Sequence, residues 1–276
     1  MLREIFGDGR AGGRRLPARV GDLPRESLLR RDRAHARAPL DRHLEITLGD
    51  MRVGGHDLRA LSDRCLADSD SKTLALKALH RPLASYFLAR YFLYAMTLDG
   101  AFAECGVFRG TSALFLCRAA RTLRPGYAGE GLHLVDSFQG LSRPSGDDFV
   151  DALGEDGSVV RGSVPEGSLH APIEAARHAL REFPAARVHE GWIPAVLQSL
   201  PETRWAFVHV DVDLYEPTRD CLDFFYPRLC PGGVIVCDDY GAPLFPGAHR
   251  AWDRFCDAHD VPYVVLDTGQ SVILKA

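Results

Sequence analysis

Two apolar runs that stop on carboxylates constrain this chain more than any other feature. The first is Ala206-Phe-Val-His-Val-Asp211-Val-Asp213-Leu-Tyr215. The second, one helical stretch later, is Gly232-Gly-Val-Ile-Val-Cys-Asp238-Asp239-Tyr240. Both read as short β runs. Adjacent strands of a parallel sheet release their side chains at one C-terminal edge, where ligands bind. Asp211, Asp238 and Asp239 can therefore meet in space, and three clustered carboxylates repel one another unless a cation joins them. Hard oxygen donors suit Mg²⁺, Mn²⁺ or Ca²⁺ rather than zinc, so the pattern points to metal-assisted chemistry.

The surrounding pattern alternates in the same way. From residue 101, strands are expected at Ala101–Cys105, Leu132–Val135 (stopping on Asp136), Arg187–Glu190, Trp205–Asp211 and Val234–Cys237. Helices are expected at Thr111–Leu123, Ile173–Phe183, Thr218–Arg228 and Gly247–His259. Two final β runs, Val261–Leu266 and Ser271–Leu274, flank a turn and would add an antiparallel strand. Alternation of this kind implies an α/β fold with a doubly wound, mostly parallel sheet. Upstream, residues 1–55 read as a loosely ordered region with short amphipathic possibilities at Leu23–Leu29 and Leu44–Leu48. Residues 56–98 read as helical, with a run from Leu74 to Met96 interrupted by Pro82. The expected division is a helical N-terminal arm and lid at 1–98 and one α/β domain at 99–276.

Charge and cysteine usage narrow the function classes. The net charge of −4 over 276 residues gives no sign of a nucleic-acid or membrane partner. It is unevenly placed: residues 1–43 carry eleven Arg against six acids, which reads either as a solvated arm or as one that folds over an acidic surface. Seven cysteines show no CxxC pair and no zinc-finger spacing, so reduced core thiols in a cytoplasmic protein are expected. No signal peptide is evident, and no run approaches the roughly 18 apolar residues of a membrane span.

Two further motifs bear on ligand binding. Glu104-Cys-Gly106-Val-Phe-Arg-Gly110-Thr-Ser112 joins the first strand to a helix. Glycines there let a ligand approach the backbone, and the helix start offers unpaired N–H groups. The spacing is GxxxG rather than the dinucleotide GxGxxG; alone it is as compatible with a tight turn. Asp136, at the end of the second strand, is placed to accept hydrogen bonds from ribose hydroxyls. A ribose anchor without a pyrophosphate loop suits S-adenosylmethionine.

The strings AECGVFRGTS, VDSFQGL, HVDVDLYEPT, PGGVIVCDDYG and FPGAHRAWDRF resemble the macrocin-type sugar O-methyltransferases over about residues 99–276. The resemblance implies a class I methyltransferase fold, dependence on S-adenosylmethionine and Mg²⁺ (or Mn²⁺), a small-molecule glycoside as acceptor, and a homodimer or larger homo-oligomer. It implies that Glu104, Gly106 and Gly110 line the methionine side of the cofactor, that Ser112 also binds the cofactor, that Asp136 holds the ribose, and that Ser137 and Phe138 lie beside the adenosine. Asp211, Asp238 and Asp239 would be metal ligands, with Asp211 also the general base. Trp192 would touch adenine or acceptor, or serve as a core residue. No segment of residues 40–98 matches the Tyr-Thr-Met-like stretch of the family's lid, so the resemblance does not extend to the acceptor pocket.

Two different functions are compatible with parts of this pattern. A catechol-like phenol chelates Mg²⁺ as a sugar diol does, and a non-catalytic protein can retain a nucleotide pocket, although it has no need of three clustered acids. Asp213, His209 and His249 are open: Asp213 as a ligand or a helix cap, His209 as structural, His249 as a helix-opening residue near the acids. The acidic stretch 146–156 reads as a solvated loop, its spacing lacking an EF-hand pattern.

Overall fold

Residues 52–53, 56–69, 82–153 and 159–276 are described by the computed structural model. The Arg-rich residues 1–43, both amphipathic stretches before residue 50 and the part of the 74–96 run before Pro82 lie outside the described residues. A short ladder, β1 (Arg52–Val53) with β2 (His56–Asp57), leads into helix α1 (Leu58–Asp68). Asp57 starts that helix by accepting the N–H groups of Arg59 and Ala60 at 2.9 and 3.1 Å, which supplies partners that a first turn lacks. Helix α2 (Pro82–Ala95) begins at Pro82, where the missing N–H costs nothing. The proline expected to interrupt a helix is its first residue.

The main sheet has seven strands in the order β10-β11-β9-β8-β3-β4-β7. In chain order these are β3 (Ala101–Cys105), β4 (Leu132–Asp136), β7 (Arg187–Glu190), β8 (Trp205–Val210), β9 (Leu229–Cys237), β10 (Tyr263–Val265) and β11 (Ser271–Leu274). Strands β7, β4, β3, β8 and β9 are mutually parallel, and β11 runs antiparallel to both β9 and β10. The chain builds outward from β3 to β7, then returns to β8 on the other side of β3. The order reverses between β3 and β8, and a crevice opens at such a reversal.

Helices cover both faces. On one, Phe92 of α2 meets Phe102 and Phe207 edge-on at 5.1 and 5.2 Å, in a core shared with α1 and α3 (Thr111–Leu123). On the other, Trp205, Phe225 and Trp252 join α5 (Tyr215–Phe225) and α6 (Pro246–His259) to the sheet. Side chains alternate along a strand, so Phe102 and Glu104, Phe207 and His209, Val234 and Val236 all project to the first face. Asp211 and Asp238 continue those two rows. All seven cysteines are free and buried. No helix among the described residues is long and apolar enough to cross a membrane.

Among the boundaries that differ from expectation, three have local reasons; β10 is also shorter than expected, at Tyr263–Val265, and His56–Asp57, expected to be helical, is strand. Helix α4 (Ile173–Ala179) stops short of Phe183, which turns away from helical geometry ahead of Pro184. Helix α5 starts three residues before Thr218, because Pro217 lies in its first turn, where proline is tolerated. Strand β9 begins at Leu229 instead of Val234, since Gly232 and Gly233 pair with Lys275 at 2.8 Å and carry the ladder through the Pro-Gly-Gly stretch.

The first part of the acidic stretch, Gly146–Asp148, is docked rather than solvated. Strand β5 (Val150–Leu153) pairs antiparallel with β6 (Val159–Gly162). Before it, Gly146–Asp148 makes a 3₁₀ turn in which Asp148 is 2% exposed. Asp148 accepts the N–H and hydroxyl of Ser145 at 2.7 and 2.8 Å, and its other oxygen accepts Tyr215 N–H at 2.7 Å, at the start of α5. Asp147 pairs with Arg254 through two bonds of 2.9 Å, and Arg250 donates to its carbonyl. Gly247 admits this contact: a Cβ there would stand 1.8 Å from Asp148 Oδ1.

Asp148→Ala should therefore cost about 1–2 kcal/mol, the cost of leaving buried N–H groups unpaired, and should hasten proteolysis within residues 140–162; denaturant melts and limited trypsin digestion check this. A pH dependence also follows. His133 shares a 2.9 Å hydrogen bond with His189 and meets Trp205 edge-on. Burial, with His189 and Arg187 nearby, lowers its pKa from 6.5 to about 4. The folded ring stays neutral while the unfolded one charges, so this contribution is whole above pH 6.5 and is lost as pH falls toward 4. The melting temperature should drop from pH 7.5 to pH 5, and less steeply in His133→Phe.

Candidate functional site

A cavity of about 590 Å³ opens where β3, β4, β8 and β9 end. Its roof comes from the N-terminal helices, through Ser62 and Leu66 of α1 and Ala84, Ser85 and Leu88 of α2. The link is direct: Ser69, at the end of α1, shares a 2.7 Å hydrogen bond with Thr111, the first residue of α3.

The loop from β3 to α3 forms one wall, and Gly106 makes it possible. At φ +88°, its Cα–H faces the end of β8 so closely that a Cβ would lie 1.7 Å from the Asp211 carbonyl oxygen. No side chain fits there, and the left-handed conformation is itself strained for other residues. Asp136 then holds the loop: its Oδ2 accepts Val107 and Phe108 N–H at 2.7 and 2.8 Å, and its Oδ1 accepts Phe138 N–H at 2.7 Å. The acid read as a ribose anchor thus already clamps backbone, a duty no sequence motif announces.

Of the residues singled out from the sequence, Gly106, Ser112, Asp136, Ser137, Trp192, Asp211, Asp238 and Asp239 line this cavity. Glu104, Gly110 and Phe138 do not reach it. Glu104 is fully buried one register step below the opening, where His209 Nδ1 lies 2.8 Å from its Oε1. Gly110 is the left-handed N-cap of α3 and packs toward Ala176. Phe138 takes φ +56° and turns its ring into the core. Trp192, 40% exposed, stands at the cavity wall rather than in the core.

Asp211, Asp238 and Asp239 each offer an oxygen, and these atoms lie within 4.8 Å of one another. Burial, reinforced by Asp238 and Asp239, pushes the Asp211 carboxyl well above the usual carboxylate range, with His209 opposing. Asp213 is raised likewise, by burial and then by Asp239. Like charges held this close in a low-dielectric setting resist joint ionisation. An all-oxygen donor set of this size fits a hard divalent cation, which would relieve that repulsion.

Fixed polar groups surround the three acids. His209, 1% exposed, has Glu104 on Nδ1 and Asp238 Oδ1 3.7 Å from Nε2. Burial alone favours the neutral ring, yet Asp238 and Glu104 outweigh it and hold the imidazole charged, its pKa well above 6.5. Gln270 donates to Asp238 Oδ1 at 2.7 Å. Asp213 takes φ +62° and gives its N–H to Asp239 Oδ2 at 3.1 Å; it caps no helix, since α5 begins at Tyr215. His249 lies outside the cavity lining, stacked on Tyr240 at 4.3 Å and paired with Asp253 at 3.0 Å. Sequence reading missed Gln270, because nothing marks an amide after a turn as a neighbour of Asp238 until β11 is known to pair with β9.

The sheet order and the cavity at its parallel strand ends are those of the class I methyltransferase fold. The chain shares that fold with the calicheamicin methyltransferase CalS11, at a TM-score of 0.57 and 20% identity over 81% of this chain and 93% of that one. The macrocin-O-methyltransferase (TylF) family matches residues 92–271, and this chain belongs to it. It is 32% identical over 148 residues, 52% of its own length, to the 8-demethyl-8-(2,3-dimethoxy-alpha-L-rhamnosyl)-tetracenomycin-C 4'-O-methyltransferase of Streptomyces olivaceus. It is 30% identical over 176 residues, 62% of its own length, to the mycinamicin III 3''-O-methyltransferase of Micromonospora griseorubida. The matches span 54% and 65% of those two curated relatives.

Gly106→Ala should abolish the site. The expected outcome is a chain that is insoluble or that melts at least several degrees lower and no longer binds S-adenosylhomocysteine, measured by thermal melts and calorimetry.

Proposed function

We propose that this chain transfers the methyl group of S-adenosylmethionine to a sugar hydroxyl of an antibiotic-type glycoside, with Mg²⁺ or Mn²⁺ held by Asp211, Asp238 and Asp239. The observation that carries the reading is the shared cavity: the glycine loop and the acid cluster, both inside the family match, open into one space. When bound, the cofactor supplies a sulfonium methyl group and the cation lowers the pKa of a sugar hydroxyl.

The chain's own residues do the rest. Gly106 lets the loop backbone approach the cofactor, and Asp136, having engaged only one N–H through Oδ1, keeps acceptor capacity toward ribose. Ser112 and Ser137 add hydroxyls along the same wall, and Trp192 offers a ring face. Asp211, at the strand end inside the cavity, takes the proton that leaves the attacking hydroxyl. Holding both reactants in one closed space removes orientational freedom, worth on the order of 7–11 kcal/mol in well-aligned intramolecular reactions. Leu141, Val164, Leu169, Leu244 and Phe245 give the cavity an apolar side that matches an aglycone. The free buried thiols fit a reducing cytoplasm, and the resemblance extends the reading to a homodimer or larger homo-oligomer.

Titrating S-adenosylhomocysteine into chelator-treated protein, with and without Mg²⁺, tests this. Binding in both conditions is expected, and its absence in both sinks the reading. Asp239→Ala should keep S-adenosylhomocysteine affinity within a few fold while losing Mg²⁺-dependent methylation of glycosides that carry adjacent hydroxyls. Full turnover by that variant would refute the metal assignment.

A further inference from the structure

The geometry points to Gln270 as a positioning residue: its amide holds the Asp238 carboxylate toward Asp211 and Asp239 so that the three close on a divalent cation. This rests on the cation reading above. Gln270 is 0% exposed and sits one residue before β11. Ser271 pairs with Cys237 in the antiparallel ladder, and continuing that ladder by one step sets Gln270 opposite Asp238. Its Nε2 donates to Asp238 Oδ1 at 2.7 Å, while its Oε1 accepts the Thr268 hydroxyl at 2.9 Å.

Those two bonds fix the amide's sense. A flipped amide would turn a carbonyl against a carboxylate and an NH₂ against the Thr268 donor, and both bonds would be lost. From the other side His209, tethered to Glu104, faces the same Oδ1 at 3.7 Å. Asp238 is thus held by Gln270, next to β11, with His209 of β8 close on its other side. The choice of an amide also has an electrostatic consequence. A lysine or arginine in this place would neutralise Asp238 and weaken cation binding; an amide orients the carboxylate and leaves its charge intact. Groups that hydrogen-bond a metal ligand in this way typically change metal affinity roughly 10- to 100-fold when removed.

Mn²⁺ titration of the chelator-treated full chain, followed by electron paramagnetic resonance, tests the proposal. Gln270→Ala and the near-isosteric Gln270→Met should each bind Mn²⁺ at least about tenfold more weakly, with S-adenosylhomocysteine affinity unchanged. Thr268→Val, which removes the lock on the amide, should weaken Mn²⁺ a few fold and carries the test if neither Gln270 variant folds. Wild-type Mn²⁺ affinity in folded variants overturns the proposal, as does a parallel loss of S-adenosylhomocysteine binding, which marks a merely structural role. Asp239→Ala separates the two levels. If it loses Mn²⁺ while Gln270→Ala does not, only the positioning role falls. If the wild type binds no Mn²⁺, or Asp239→Ala binds it equally well, the cation reading falls and takes this one with it.

Discussion

Strands β8 and β9 end side by side, and the residues that follow them, Asp211, Asp238 and Asp239, repel one another, with oxygens no more than 4.8 Å apart. Much of the neighbouring architecture answers that repulsion. The charged ring of His209 lies in the same row of side chains, below Asp211, and fully buried Glu104 keeps it there. Backbone contributes too, since the left-handed turn at Asp213 aims an N–H at Asp239. Each is a fixed dipole or charge, placed by strand alternation or by the turn, so little reorganisation is needed when the balance of charge changes. Preorganisation of this sort is how a protein tolerates, and uses, clustered like charges.

A second acid does a different task. Asp148 comes from a segment rich in carboxylates, yet it is buried and spends its oxygens on Ser145 and on the first N–H of α5. Through that bond the start of the segment, Gly146–Asp148, is tied to the helix that follows the Asp211 strand. Leu141, Val164 and Leu169 on the same segment and its continuation then form part of the cavity wall. The wall and the acid cluster are therefore fixed to one another by hydrogen bonds rather than by the loop's own stiffness.

The strand ends are legible in the sequence because an apolar run that closes abruptly on an acid marks the point where a buried strand meets solvent. Asp136, Asp211, Asp238 and Asp239 all stand out on that ground. The α/β alternation and the antiparallel terminal strand are legible from the same apolar runs. What escapes is long-range pairing. Nothing local in Ser145-Gly-Asp-Asp148 says that Tyr215 lies beside it, and nothing in Thr268-Gly-Gln270 says that Asp238 does. Glu104 shows the same gap from the other side. Two residues before a glycine, it reads as a ligand contact, and nothing local says that its strand sets it beneath the opening with a histidine of the adjoining strand on one of its oxygens. Short-range spacing gives a residue's face; the sheet decides its neighbour.

Strand β11 lies between β9 and β10, although β10 precedes it in the chain. Until β11 inserts, β10 has no partner in the sheet and β9 is an open edge. The same insertion carries Gln270 to Asp238. Completion of the sheet and completion of the acid cluster's surroundings thus depend on the same strand. A chain with that hairpin detached would keep its glycine loop and its carboxylates, and would still have lost the grip that gives them a common aim.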